Sequence, residues 1–135
     1  MSYRGTYSQP VTLLDDVSST VSSDGLNVKD FRHIVLSVGT SNSADLTVQV
    51  QGSIEDDENE PDWSSSPTQT NQWSYLAVKD LENLKTDEGD TGIVFSGTDD
   101  VVLVEVNTNG LNELAVDVTA HNAGNVTVKA MAYGY

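Results

Sequence analysis

Apolar and polar residues alternate along most of this chain. In Asp45-Leu-Thr-Val-Gln-Val-Gln-Gly, Leu46, Val48 and Val50 fall on one side and Thr47, Gln49 and Gln51 on the other, the pattern of a strand with one face on a core and one in water. Glu113-Leu-Ala-Val-Asp-Val-Thr-Ala repeats it, with Leu114, Val116, Val118 and Ala120 inward, and Asn125-Val-Thr-Val-Lys-Ala-Met-Ala repeats it through Val126, Val128, Ala130 and Ala132. The segments 31–38 and 101–106 are more continuously apolar, as expected of central strands whose second face is also covered. Their inward sets are Ile34, Leu36 and Val38, and Val102, Val104 and Val106. Segments 73–78 and 92–95 add two short strands, and 11–14 with 17–21 add edge strands.

The punctuation fits an all-β chain. Asn107-Thr-Asn-Gly-Leu-Asn contains Asn109-Gly110, suited to the positive dihedrals of a tight turn. Together with His121-Asn-Ala-Gly-Asn it predicts a three-stranded meander over 101–133. Gly39-Thr-Ser-Asn-Ser-Ala predicts a third connection, between the Phe31 and Leu46 strands. Helix-like spacing occurs only over 76–85, where Ala77, Leu81 and Leu84 predict about two turns. One-sided strands must bury their apolar faces against something, and short ones with Gly/Asn turns do so as two packed sheets. The expected fold is an antiparallel β-sandwich of seven to nine strands, with a jelly roll among the topologies open to it.

Two segments lack the strand pattern. Residues 1–10 intersperse Tyr3, Arg4 and Tyr7 with small polar residues, which predicts a flexible N-terminal arm preceding a sandwich domain at 11–135. Such an arm orders only by lying on a neighbouring surface, where Tyr and Arg supply contact area and directional hydrogen bonds. Tyr133 and Tyr135 raise the same prospect at the C-terminus. The second segment, 53–72, is a predicted acidic loop, in which six of the eight residues from Glu55 to Asp62 are carboxylates. Crowded like charges keep it solvated. It reads as an exposed loop, as a partner-binding loop, or as a calcium site using Asp56, Asp57 and Glu58, because hard cations take oxygen ligands. Asp87 and Asp90, in Asp87-Glu-Gly-Asp, are a second candidate cation site.

Composition narrows the partners. With 21 acidic against 6 basic side chains the net charge is −15, so neither a nucleic-acid backbone nor an anionic membrane is an expected partner. No apolar run reaches the length that spans a bilayer, and the N-terminus lacks the hydrophobic stretch of a signal peptide. Without cysteine there is no disulfide or thiolate site. The charge reads either as an acidic surface facing a basic protein partner or as adaptation to concentrated salt, which shortens the Debye length to about 3 Å at 1 M. In the second case the melting temperature should rise steeply between roughly 0.1 and 2 M KCl, and a flat thermal response would contradict this expectation.

Catalytic machinery is hard to assemble. His33 and His121 lack the companions of a metal or acid–base site. No serine sits in Gly-x-Ser-x-Gly, and Gly89, Gly92 and Gly97 do not form a phosphate loop. Trp63, Trp73 and Tyr75 suit a sugar platform, although Trp73 and Tyr75 share a strand face with Ala77 and read more simply as core. The chain is therefore expected to be no enzyme and to need no cofactor, with calcium as the one ion worth testing. A calcium-dependent carbohydrate-binding module or a tail-associated adhesion domain stands as the alternative to a structural role.

Several of these segments carry a resemblance. Leu46-Thr-Val-Gln-Val-Gln-Gly-Ser-Ile-Glu-Asp, Trp73-Ser-Tyr-Leu, Thr91-Gly-Ile, Leu114-Ala-Val-Asp-Val-Thr-Ala and Gly124-Asn-Val-Thr-Val-Lys-Ala resemble small β-sandwich virion proteins of tailed phages and haloarchaeal viruses. The resemblance spans about residues 31–132, with a longer acidic insertion at 55–62. It implies a protein localised to the virion in a head-decoration, vertex or tail-associated role. Its implied partners are the major capsid protein or other virion proteins, and its implied assembly is a homotrimer. The interface candidates are Tyr3, Arg4, Tyr7, Tyr133 and Tyr135, with Val35 and Val101 joining them where the outer sheet face is covered.

Overall fold

Two 21-residue strands, β4 (His33–Ser53) and β10 (Glu113–Tyr133), pair antiparallel along their whole length and form the spine of the molecule. The computed structural model describes residues 9–54 and 73–133. Short strands line both edges of this ribbon. Along the free edge of β10 lie β1 (Val11–Val17), β2 (Val21–Ser22) and β3 (Leu26–Asn27). Along the free edge of β4 lie β5 (Ser74–Leu76), β8 (Ile93–Ser96) and β9 (Val101–Asn107), with β6 (Val78–Asp80) and β7 (Lys85–Asp87) continuing outward from β9. The path β1-β10-β4-β9-β6-β7 leaves the sheet open.

The ribbon bends at its middle, and the bend makes the sandwich. The register between β4 and β10 slips three times between Val118 and Asn125, and such bulges sharpen twist and turn a strand pair at a corner. Asn42 and Ser43 adopt positive φ of 61° and 54°, and Gly124 adopts 85°. Asn42 Nδ2 donates to Asn125 Oδ1 at 3.0 Å across the corner. One layer holds the first half of β4, the second half of β10, β1, β9, β6 and β7. The other holds the remaining halves with β2, β3, β5 and β8. Both layers contribute to one buried cluster, including Ile34, Leu36, Val104 and Val128 from the first and Val48, Phe95, Leu114 and Val116 from the second.

The inward sets predicted by alternation are buried in almost every case: Leu46, Val48 and Val50; Ile34, Leu36 and Val38; Val126, Val128, Ala130 and Ala132. Val102 is half-buried. Ala120 is exposed, because the bulge after Val118 shifts the phase of the strand before reaching it.

Four sequence expectations need correction. The described residues form ten strands where seven to nine were expected. The polar runs at 39–44 and 121–125, predicted as hairpin connections, are the bend within β4 and β10, since residues suited to tight turns also serve bulges. The 101–133 span is no meander: β9 and β10 flank β4 on opposite edges. Residues 76–85 form no helix. Asp80 instead accepts backbone bonds from Glu82 at 2.9 Å and Asn83 at 3.3 Å, and Leu84 takes φ 55° with its side chain exposed. A side chain that caps its own backbone two and three residues on favours a turn over helix propagation. The Asn83 side-chain hydrogen bond to Asp80, foremost, holds that carboxyl below its ordinary range, against the opposing effect of burial.

Candidate protein–protein interface

Strand alternation fixes which side chains leave the sandwich. In the first layer, β10, β4 and β9 direct Thr127, Lys129 and Met131, then His33, Val35 and Ser37, then Val101, Leu103, Glu105 and Asn107 outward, opposite the buried partners between them. Register places Val35 between Met131 and Glu105, and Ser37 between Lys129 and Leu103. Lys79 on β6 pairs with Glu105 at the side of this patch.

The chemistry of this face departs from that of the chain. Glu105 is the one carboxylate among the outward positions of these three strand segments, in a protein with 21 acidic residues. Two lysines, Lys79 and Lys129, are exposed at its sides. Val101 is 63% and Leu103 46% exposed on β9, while Val35 and Met131 are half-buried on the neighbouring strands. Apolar side chains on a flat sheet face, bordered by polar ones and depleted of carboxylates, are what a protein contact requires. The remaining acidic surface would repel a second copy or an acidic partner, and this face does so least.

The other sheet face has a different character. Asp45, Thr47, Gln49, Gln51 and Ser53 of β4, and Glu113, Ala115, Asp117 and Thr119 of β10, point away from the core there. Gln49, Gln51, Ser53, Glu113 and Ala115 are nevertheless buried. Gln49 Nε2 donates to the carbonyls of Gly89 at 2.7 Å and Asp90 at 3.2 Å, tying the 87–92 turn down over that layer.

The sequence-predicted sites distribute unevenly. Tyr133 ends β10, with its backbone paired to His33. Tyr3, Arg4, Tyr7 and Tyr135 lie outside the described residues, as do Asp56, Asp57, Glu58 and Trp63. Asp87 lines a cleft of about 260 Å³ together with Asp80, Lys85 and Asp100, whereas Asp90 is exposed on the turn outside it. Among the described residues, no three His, Asp or Glu side chains converge as a metal centre would need. His121 Nε2 sits 2.8 Å from the Gly124 carbonyl at the bend, and His33 lies half-buried on the other layer.

Trp73 is half-buried, but Tyr75 and Ala77 are exposed while Leu76 is half-buried and Val78 buried, so the core reading of Tyr75 is reversed. The reason is register: β5 pairs Leu76 with inward-facing Val50 and Tyr75 with outward-facing Gln51. Sequence reasoning named Val35 and Val101 and missed Leu103, Met131, Lys79 and Lys129. The available signal was the near absence of carboxylates at alternate positions of two otherwise apolar strands.

No protein family and no curated protein is matched by the sequence. Among solved structures, the chain is similar to the crystal structure of the SPBc2 prophage-derived protein YomS, with a TM-score of 0.72 and 12% sequence identity over 99% of this chain and 98% of that one, which establishes a shared fold.

Proposed function

We propose that this chain is a non-enzymatic structural protein of a virion, which decorates or stabilises a capsid or its vertices through protein–protein contacts. The observation that carries this reading is the carboxylate-poor apolar face around Val35, Val101 and Leu103 on an otherwise strongly acidic sandwich. The full-length similarity in fold to a prophage-derived protein supports a viral setting. The partners are the major capsid protein or neighbouring virion proteins, and the assembly is a homotrimer. A repeating lattice suits such a protein, because several weak contacts made at once hold far better than one.

In this reading Tyr3, Arg4 and Tyr7 belong to an arm that reaches a neighbouring subunit, and Tyr133 and Tyr135 extend the contact from the end of β10. Removal of residues 1–10 is expected to leave the melting temperature within a few degrees of the full chain while reducing both the trimer fraction in light scattering and the occupancy on particles. Unchanged oligomeric mass together with unchanged occupancy would rule out the arm.

A further inference from the structure

The second layer carries a groove that the structural role does not use. It has a volume of about 440 Å³ and is lined by Thr20, Val21, Ser22, Tyr75, Asp117, Val118 and Thr119, within the size range of small-molecule sites. Strand pairing assembles it. β2 sets Ser22 beside Asp117 on one edge of β10, and β5 sets Tyr75 on the far edge of β4, two residues further along. Ala115 and Gln51 occupy the pair that connects Tyr75 to β10. Ala115 and Gln51 are themselves buried, and Tyr75 and Asp117 line the groove from opposite sides of them.

Asp117 is half-buried, and among the described residues one side chain donates to it, Ser22 Oγ at 3.3 Å. That bond is long for an O–H donor. A carboxylate has about four acceptor sites, so this one retains capacity for further donors from a ligand. Burial, the larger influence, raises its pKa above the ordinary carboxylate value, against the smaller opposing effect of the Ser22 bond. Shielding from water in this way strengthens any hydrogen bond that a ligand hydroxyl makes to it.

We propose that this groove binds a neutral hexopyranose end of a saccharide, without calcium. Adjacent sugar hydroxyls donate to the two oxygens of Asp117, the hydroxyls of Thr20, Ser22 and Thr119 donate or accept as the sugar demands, and the Tyr75 ring covers an apolar sugar face. A metal ion is a poor occupant, because one carboxylate among seven lining residues is too few for a hard-cation site. Acidic sugars are excluded by Asp117 and by the net charge of −15. The groove lies on the outer face opposite the carboxylate-poor one, so a chain docked through Val101 and Leu103 presents it away from the docking partner.

Saturation-transfer NMR on the full chain tests this with glucose, galactose, mannose and N-acetylglucosamine, each at about 10 mM to reach the millimolar affinity that a shallow groove provides. At least one sugar should bind, equally well with EDTA present, while sialic acid gives no signal. Tyr75→Ala and Asp117→Asn should each weaken that binding by about tenfold or more, with melting curves near those of the parent. Silence from all four sugars, dependence on calcium, or retained affinity in either variant would overturn the proposal. So would saturation transfer to N-acetyl-lysine amide but to no sugar, which would mark the groove as a seat for a basic protein side chain. None of these outcomes depends on particle attachment.

Discussion

Gly124→Ala should lower the melting temperature by about 6–25 °C. Gly124 has φ 85° at the bend of β10, where a Cβ would lie 2.4 Å from Ala44 Cα and 2.8 Å from the Ser41 carbonyl oxygen. The left-handed conformation costs a non-glycine residue on the order of 1–2 kcal/mol. The clash is with backbone, which no rotamer change relieves, and overpacking of this kind adds roughly 1–3 kcal/mol. The resulting loss of about 2–5 kcal/mol converts at about 3–5 °C per kcal/mol for a domain of this size. Gly97→Ala is the matched control: its φ is 81°, but nothing lies within 4 Å of the added methyl, so the conformational cost alone remains. Equal shifts for the two variants would show that the close crossing of β4 and β10 at Ala44 is not what holds the corner.

The double substitution Val101→Asp with Leu103→Asp should leave the fold intact and abolish self-association. Both side chains project from β9 into solvent in the single chain, so the change costs at most about 1 kcal/mol of strand preference and removes nothing from the core. In an assembly that covers this face, the loss is far larger. Burial of the two side chains is forfeited at roughly 1.5–3 kcal/mol each for complete burial, and two carboxylates are placed where desolvation and the −15 charge of each copy oppose contact. Affinity should therefore fall at least about a hundredfold, seen as a shift to monomer by light scattering at micromolar concentration. Lys129→Ala, on the same face but polar, should weaken association by under tenfold. An oligomer that survives the double aspartate variant would place the interface elsewhere on the molecule.

The layers of this fold are legible because one-sided strands impose a period of two, and that period alone marks Ile34, Leu36, Val48, Val116 and Val128 as core, where the structure buries them. Where it failed, one residue type served two purposes. Asn42, Ser43 and Gly124 supply positive φ, which a hairpin and a corner bulge both need, and local chemistry does not say whether the chain reverses or bends. Strand phase failed at Tyr75 for a related reason. A three-residue strand takes its phase from its partner, Val50 and Gln51 on β4, so its facing is a tertiary fact. Leu81 and Leu84 have helical spacing, yet Asp80 captures the amides of Glu82 and Asn83 and closes a turn first.

The candidate surfaces were less legible than the core. Val35 and Val101 were visible as surplus apolar residues, but their union with Leu103 and Met131 into one face requires knowing that β10, β4 and β9 are neighbours. The saccharide groove joins residues 20–22, 75 and 117–119, three segments with no shared motif. Its carboxylate, Asp117, is one of 14 aspartates in the sequence, and no local motif marks it out from the others.

The most direct test of the proposed structural role is the copy number of this chain on gradient-purified virus particles released from cells that carry its gene, measured by quantitative mass spectrometry for the parent and for the Val101→Asp, Leu103→Asp variant. The parent should be present at a fixed number of copies relative to the major capsid protein, and the variant should be depleted at least about tenfold. Absence of the parent chain from purified particles, or full retention of the variant, would contradict a virion protein that docks through the β10–β4–β9 face.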